Sequence, residues 1–443
     1  MSDSSLSPSD VRRLLTHWQS LLLSFRALFT GPGWVCFALW ITALVLCDER
    51  HTLTQCLISL GLQDLWRKAE AFLEYGVWDI RALENRLLAL IETRQRPRFA
   101  GYRPLAVDDT FELRDSREVW GVCTYAHHTG RQVKQPKLFR GHNWVVLGSL
   151  QPGRPWRYLP AAARLYVRQS QCPEDQVFAT HGQLAGELLR QARCIAPDEP
   201  ILALVDGGYA QDQIVQACRS GDEGQAGAFL TRPRCDARLY APLEPTPGKP
   251  VGRRRIWGPR LPAPKDHEQW QSPWQSSQAW IYGRLRSFRY KRLECRWHVS
   301  GPELPVAVYV LEVEGYTKPW FLITNALELT AEQVAEAYAA RFRQEEGFRE
   351  HKQLLGMQEV RAWTKHPILR TFAAQMAAIS LLRLWQQQVE AEDLAVYPPT
   401  PWNRHKQWGS LLDLRRLCWS CRAAFSKFCR DLDELPISRL PAA

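Results

Sequence analysis

The chain has 443 residues, 45% hydrophobic and 23% charged, which excludes a disordered protein and exceeds what one small core can hold. Its formal net charge of +11 favours a polyanionic partner, of which nucleic acid is the commonest. The polar opening MSDSSLSPSD carries no basic run and does not read as a secretory signal.

Residues 1–98 read as helical throughout. Ser9 and Asp10 can cap VRRLLTHWQSLLLSFRALF, and LTQCLISLGL and DIRALENRLLALIETRQ carry apolar residues at three- and four-residue spacing. WVCFALWITALVLC, residues 34–47, is the one strongly apolar run, and it is too short to span a bilayer comfortably. A buried helix of an N-terminal bundle is expected there, in a cytoplasmic protein with no membrane partner. Arg94, Arg96 and Arg98 mark a basic connector.

After Tyr102 the texture changes. PLAVDDTF, VWGVCTYA and HNWVVLGSL read as three successive strands. GQLAGELLRQAR is then a helix, PILALVD a buried strand, DQIVQACRSG a helix and GAFLTRPR a fifth strand. Strands followed by alternating helix and strand imply a mixed sheet with helices packed on it, an α/β (α+β) class, over residues 99–231. Residues 232–325 are basic and β-rich, opening with GKPVGRRRIWGPRLPAPK before AWIYGRLRSFRYKRLECRWHV, PVAVYVLEVEG and PWFLIT. In residues 326–389, Thr330 can cap one long helix through YAARFRQEEGFREHKQLLG. The following ILRTFAAQMAAISLLRLWQQQV is apolar on most sides and should be buried. A helical tail spans 390–443.

On a helical projection Tyr338, Arg341, Glu345, Arg349 and Lys352 share an arc of roughly 80°, while Glu346 and Glu350 turn away toward solvent. A surface ladder of ion pairs does not account for Phe342, Phe348 and Leu355 flanking that strip, so Glu345 reads as a half-buried carboxylate. Two apolar strands end in acid, LAVDD at Asp108 and Asp109 and ILALVD at Asp206. Each acid alone suits a turn or a cap. Together they suit a divalent metal, which offsets the cost of desolvating carboxylates, and Mg²⁺ takes oxygen ligands. Two such ions about 3.5–4 Å apart can activate an attacking oxygen and stabilise a leaving one at a phosphodiester.

Tyr338, Arg341, Glu345 and Lys352 stand as Y-x2-R-x3-E-x6-K, which resembles the signature of bacterial insertion-sequence transposases of the DDE class. VDDTF is similar to the first-acid block of that class and LVDGGY to the second. The resemblance implies a ribonuclease-H-like mixed sheet with flanking helices, a β-rich insertion before the glutamate helix and an N-terminal helical domain that contacts transposon ends. It implies Asp206 and Glu345 as the second and third catalytic, metal-binding acids. For the first acid Asp108 and Asp109 both stay open, since they are adjacent and point oppositely on a strand; the family pattern D-x-T leans to Asp108, and an alignment on Asp-Thr would choose Asp109. Tyr338, Arg341 and Lys352, with Arg349 beside them, would hold DNA phosphates. The implied cofactor is two Mg²⁺ ions, with Mn²⁺ able to substitute. The implied partner is double-stranded DNA, both transposon ends and target, bound by a homodimer. The implied activity is cleavage at the ends followed by strand transfer. A related nuclease that only hydrolyses and a non-catalytic DNA-binding relative are the alternatives.

Lys249, Arg253, Arg254 and Arg255 suit either contact with the DNA backbone or a solvated loop. Trp257, Trp297 and Trp320 can stack on a displaced base, although core packing is their more ordinary role. Cys418 and Cys421 are the one close pair among twelve cysteines, too few ligands for zinc. His127, His128 and His142 show no ligand spacing and read as structural, and GKP at 248 lacks the rest of a phosphate loop.

Overall fold

The computed structural model describes residues 6–126, 138–219, 226–244, 255–394, 401, 404, 406 and 409–434. Five α-helices open the chain: α1 (Pro8–Leu23), α2 (Gly31–Leu46), α3 (Leu53–Ser59), α4 (Trp66–Tyr75) and α5 (Ile80–Gln95). The first cap is Ser7, not Ser9 or Asp10: Pro8 occupies the first helical position, where its missing N–H costs nothing, and Asp10 falls in the first turn. α2 is apolar around its whole circumference, and nearly every one of its residues is buried. Among the described residues no helix is long and apolar enough to cross a membrane.

The sheet begins with β1 (Arg103–Leu113), β2 (Cys123–Ala126), β3 (Leu138–Gln151) and β4 (Arg157–Tyr166). α6 (His181–Ile195), β5 (Ile201–Val205), α7 (Asp212–Cys218) and β6 (Ala228–Thr231) follow. β1 and β4 pair antiparallel with β3, β5 runs parallel to β1, and β6 runs parallel to β5. The resulting order β4-β3-β1-β5-β6 is the ribonuclease-H-like mixed sheet, with β2 on the other end of β3. The strand pattern in the sequence lacks β4. Its segment RYLPAAARLY is rich in alanine and holds a proline, both poor strand signals. Pro160 is tolerated because the β3–β4 register shifts there, next to the Gly148 pair.

β7 (Leu239–Tyr240), β8 (Arg260–Leu261), β9 (Gln275–Ile281), β10 (Arg284–Trp297), β11 (Pro305–Val313) and β12 (Trp320–Thr324) come next. β12 pairs antiparallel with β6, β11 with β12 and β10 with β11, so these strands extend the same sheet across its far edge.

The helices α8 (Ala331–Ala340), α9 (Phe342–Leu354), α10 (Lys365–Ala391), α11 (Leu411–Ser420) and α12 (Arg422–Glu434) complete the fold. Thr330 caps α8 in a reciprocal box with Gln333. The single long helix expected from Thr330 is broken at Arg341, where the Gln344 N–H bonds to the Arg341 carbonyl at 2.9 Å, three residues back instead of four. α10 touches α1, α2, α4 and α5 as well as β4, so the N-terminal helices and one face of the sheet share a hydrophobic core.

The other side of the sheet holds α9. Tyr158 of β4 is buried between Gly148 of β3 and Gly347 of α9, and a Cβ at either glycine would collide with its ring. Gln344, fully buried, donates its Nε2–H to the Val146 carbonyl at 2.9 Å and to the Tyr158 hydroxyl at 3.1 Å. These contacts hold α9 on the sheet one residue away from Glu345. Gly347→Ala is therefore expected to destabilise the fold by about 1–3 kcal/mol through overpacking, seen as a lower midpoint in chemical unfolding.

Candidate active site

Parallel pairing of β1 with β5 places Val107 opposite Val205. The next residues are Asp108, midway along β1 and not at its end as expected because β1 stays paired with β3 as far as Leu113, and Asp206, just past the carboxyl end of β5, so two acids meet side by side. Arg341 brings the third, four residues on along α9. Its Nη1 donates to Asp108 Oδ2 at 3.0 Å, its Nη2 donates to Glu345 Oε1 at 3.1 Å, and the same Nη2 lies 4.0 Å from Asp206 Oδ1. One guanidinium thus touches all three carboxylates. Tyr338, one turn earlier, donates its hydroxyl to Asp206 Oδ1 at 3.4 Å, and the Arg341 guanidinium lies 5.7 Å from its ring centre.

The electrostatics follow from burial. Desolvation raises the Asp108 carboxyl to about 7; Arg341 opposes the rise, and Asp109 and Asp206 add to it. Burial works against the charge on Arg341, but Asp108 and its other neighbours outweigh it and hold the group above its ordinary value. Burial likewise pushes the Tyr338 phenol up to about 12, with Arg341 opposing and Asp206 reinforcing.

Asp109 points the other way. Its Oδ1 accepts from the Tyr209 hydroxyl at 3.3 Å, and its backbone N–H donates to Asp108 Oδ1 at 2.9 Å. Asp108 is therefore the member of the pair that joins Asp206 and Glu345.

Elsewhere on α9 the expectations fare unevenly. Glu345 is exposed, with 44% of its side chain accessible, rather than half-buried. Glu346 and Glu350, expected in solvent, are the more enclosed: Glu346 pairs with Arg343, and both oxygens of Glu350 accept from Arg383 at 2.8 Å. The reason is α10, which covers part of the side assigned to water and sends Arg383 to Glu350. Arg349 is exposed and Lys352 half-buried, its ammonium depressed by burial; neither forms an ion pair with the three acids.

Other candidates separate by burial. Trp297 and Trp320 are core residues, while Trp257 is half-buried against Tyr240 and His298. Arg255 is exposed, whereas Lys249, Arg253, Arg254, His127 and His128 lie outside the described residues. His142 is fully buried and bonded through Nε2 to the Trp120 carbonyl at 2.8 Å, a structural role. Cys418, Cys421 and Cys429 are buried free thiols. Tyr209, Gln344 and Tyr158 touch the site or its support without having been singled out; no spacing in the sequence relates them to the acids.

Among the described residues no three His, Cys, Asp or Glu side chains stand ready as a metal cage. The donor set still fits a divalent cation: three carboxylates from three elements converge on one positive group, the Arg341 guanidinium, and oxygen donors are what Mg²⁺ and Mn²⁺ take.

Comparison with known proteins places this geometry. Among curated proteins none matches the chain. A solved structure described as the piggyBac transposase synaptic complex with hairpin DNA is similar with a TM-score of 0.41 and 9% identity, over 93% of this chain and 77% of that one. A family model described as DDE superfamily endonuclease matches residues 34–295, more than half of the chain, a span that includes Asp108 and Asp206 and stops before Glu345. With the match covering more than half of its length, the chain belongs to the DDE superfamily endonucleases.

Proposed function

We propose that this endonuclease is a transposase of the insertion-sequence type, cutting DNA at the ends of its own element and joining them to target DNA. The observation that carries the reading is the convergence of Asp108, Asp206 and Glu345 on a single cationic position. The net charge of +11 supports a DNA partner.

In this reading Asp108, Asp206 and Glu345 hold Mg²⁺ or Mn²⁺. A bound divalent metal supplies Lewis-acid polarisation of the phosphodiester and eases deprotonation of the attacking hydroxyl or water. Arg341 offsets part of the charge of the three carboxylates in its absence, and its fork can otherwise grip a phosphate in two places. Tyr338 adds a hydroxyl donor beside Asp206. Lys352, already partly desolvated, gains from any phosphate that neutralises it. Arg255, with Lys249, Arg253 and Arg254, tracks the DNA backbone without reading sequence. Joining two ends calls for two copies on one DNA complex.

The test is incubation of the full chain and Mg²⁺ with labelled duplex taken from the DNA flanking its coding sequence. Free 3′-hydroxyl ends and joined products are expected. Cleaved ends with no joined product would leave a hydrolytic nuclease, and intact DNA with either metal would remove the catalytic reading.

A further inference from the structure

Asp109 is an acid beside the site that the chemistry above does not use. It sits on the opposite face of β1 from Asp108, and its carboxylate receives the Tyr209 hydroxyl at 3.3 Å. Tyr209 is 4% exposed and ends the short turn Gly207–Tyr209, for which Asp206 is the N-terminal cap. Its other bonds are internal to the segment or to one neighbouring strand: the Ala210 N–H donates to the Gly207 carbonyl at 3.3 Å, and the Gln211 N–H and Nε2–H donate to the Tyr209 and Gly208 carbonyls at 2.8 Å. The Tyr209 N–H returns to the Asp206 carbonyl at 2.9 Å, and the Thr231 hydroxyl donates to the same carbonyl at 3.2 Å. Gly207 and Gly208 inside the turn leave its backbone permissive. The Asp206 side chain is 50% exposed and meets Tyr338 at 3.4 Å, so it has little of its own to fix its direction. His181, stacked on Tyr166 at 3.6 Å and bonded to Asn143 at 3.1 Å, closes the pocket edge-on to Tyr209.

We infer that Asp109 is a positioning residue: through Tyr209 it latches the Asp206 turn to β1 and so aims Asp206 at the metal position shared with Asp108 and Glu345. The inference rests on the assignment of those three acids as metal-binding. Asp109 acts as a hydrogen-bond acceptor, so an amide in its place keeps the latch and a methyl does not.

Two measurements on the full chain without DNA test it. The first is Mn²⁺ binding followed by the electron paramagnetic resonance of the free ion. D109N should bind within about threefold of wild type, whereas D109A and Y209F should each weaken binding about tenfold, the worth of one hydrogen bond to a charged group. The double variant D109A/Y209F should be no weaker than either single one, because both remove the same bond. The second is hydrogen exchange in residues 206–211, which should quicken about tenfold in Y209F and D109A and stay unchanged in D109N. Unchanged exchange in Y209F overturns the latch whatever the metal does. D109N binding as poorly as D108N overturns it in a different way, making Asp109 a ligand. D108N and D206N binding like wild type would instead remove the metal assignment while leaving the exchange result to stand. Thermal melting identifies any variant that fails to fold, and D109N, which removes only a charge, keeps the comparison open.

Discussion

Asp108→Asn, Asp206→Asn or Glu345→Gln is each expected to lower DNA cleavage by roughly a thousandfold or more, about 4 kcal/mol of lost transition-state stabilisation. Each change keeps the volume of the side chain and removes one charge from the set around Arg341. The fold should survive: Asp206 and Glu345 are about half exposed, and Asp108 carries a burial cost that its amide would relieve. Asp109→Asn is the control, and it should retain most of the activity because its carboxylate faces Tyr209. Cleavage of labelled duplex at saturating Mg²⁺ measures all four. Cleavage that persists in Glu345→Gln would mean that the reacting phosphate lies elsewhere. Equal loss in Asp108→Asn and Asp109→Asn would mean that the pair acts jointly.

Without metal, stability should fall as pH rises from about 4 to about 7 and then level off, owing to Asp108. Its carboxyl titrates near 3.8 in the open chain and at about 7 in the fold, chiefly through burial. Between those values the folded protein holds a proton that the unfolded chain has released, so each rise in pH favours the unfolded chain. The contribution is about 4 kcal/mol at most, present in full below the lower value and gone above the higher. Divalent metal competes with that proton. Added Mn²⁺ should therefore raise the melting temperature at pH 8 by several degrees and hardly at all at pH 5. Asp108→Asn should flatten the pH slope and remove the Mn²⁺ effect together. Melting curves at several pH values, with chelator or with Mn²⁺, check both. A metal effect equal at pH 5 and pH 8 would separate Asp108 from the metal position.

Local pattern made much of this visible. The apolar strands that carry Asp108–Asp109 and precede Asp206 are where the pattern put them, although the first runs on to Leu113, and α2 is buried because no face of it is polar. Tyr338, Arg341 and Glu345 do come together. The projection cannot show what another helix will cover, so Glu346 and Glu350 were assigned to solvent while Arg343 and, from α10, Arg383 pair with them. β4 escaped notice because alanine and proline carry almost no strand signal; its place is set by Tyr158 packed between two glycines.

Composition, charge and short-range spacing thus sufficed for the class of fold, the basic character and the candidate acids, since each of these is a property of residues near one another in the chain. Which of Asp108 and Asp109 faces Asp206 was beyond them. Adjacent strand residues are equivalent until the two faces of the sheet are covered differently, and Arg341, which meets Asp108 on one face, lies more than two hundred residues away. The parallel register of β1 with β5 and the seating of α9 on the sheet are decided by non-local packing, and they bring the local Arg341–Glu345 pair against Asp108 and Asp206.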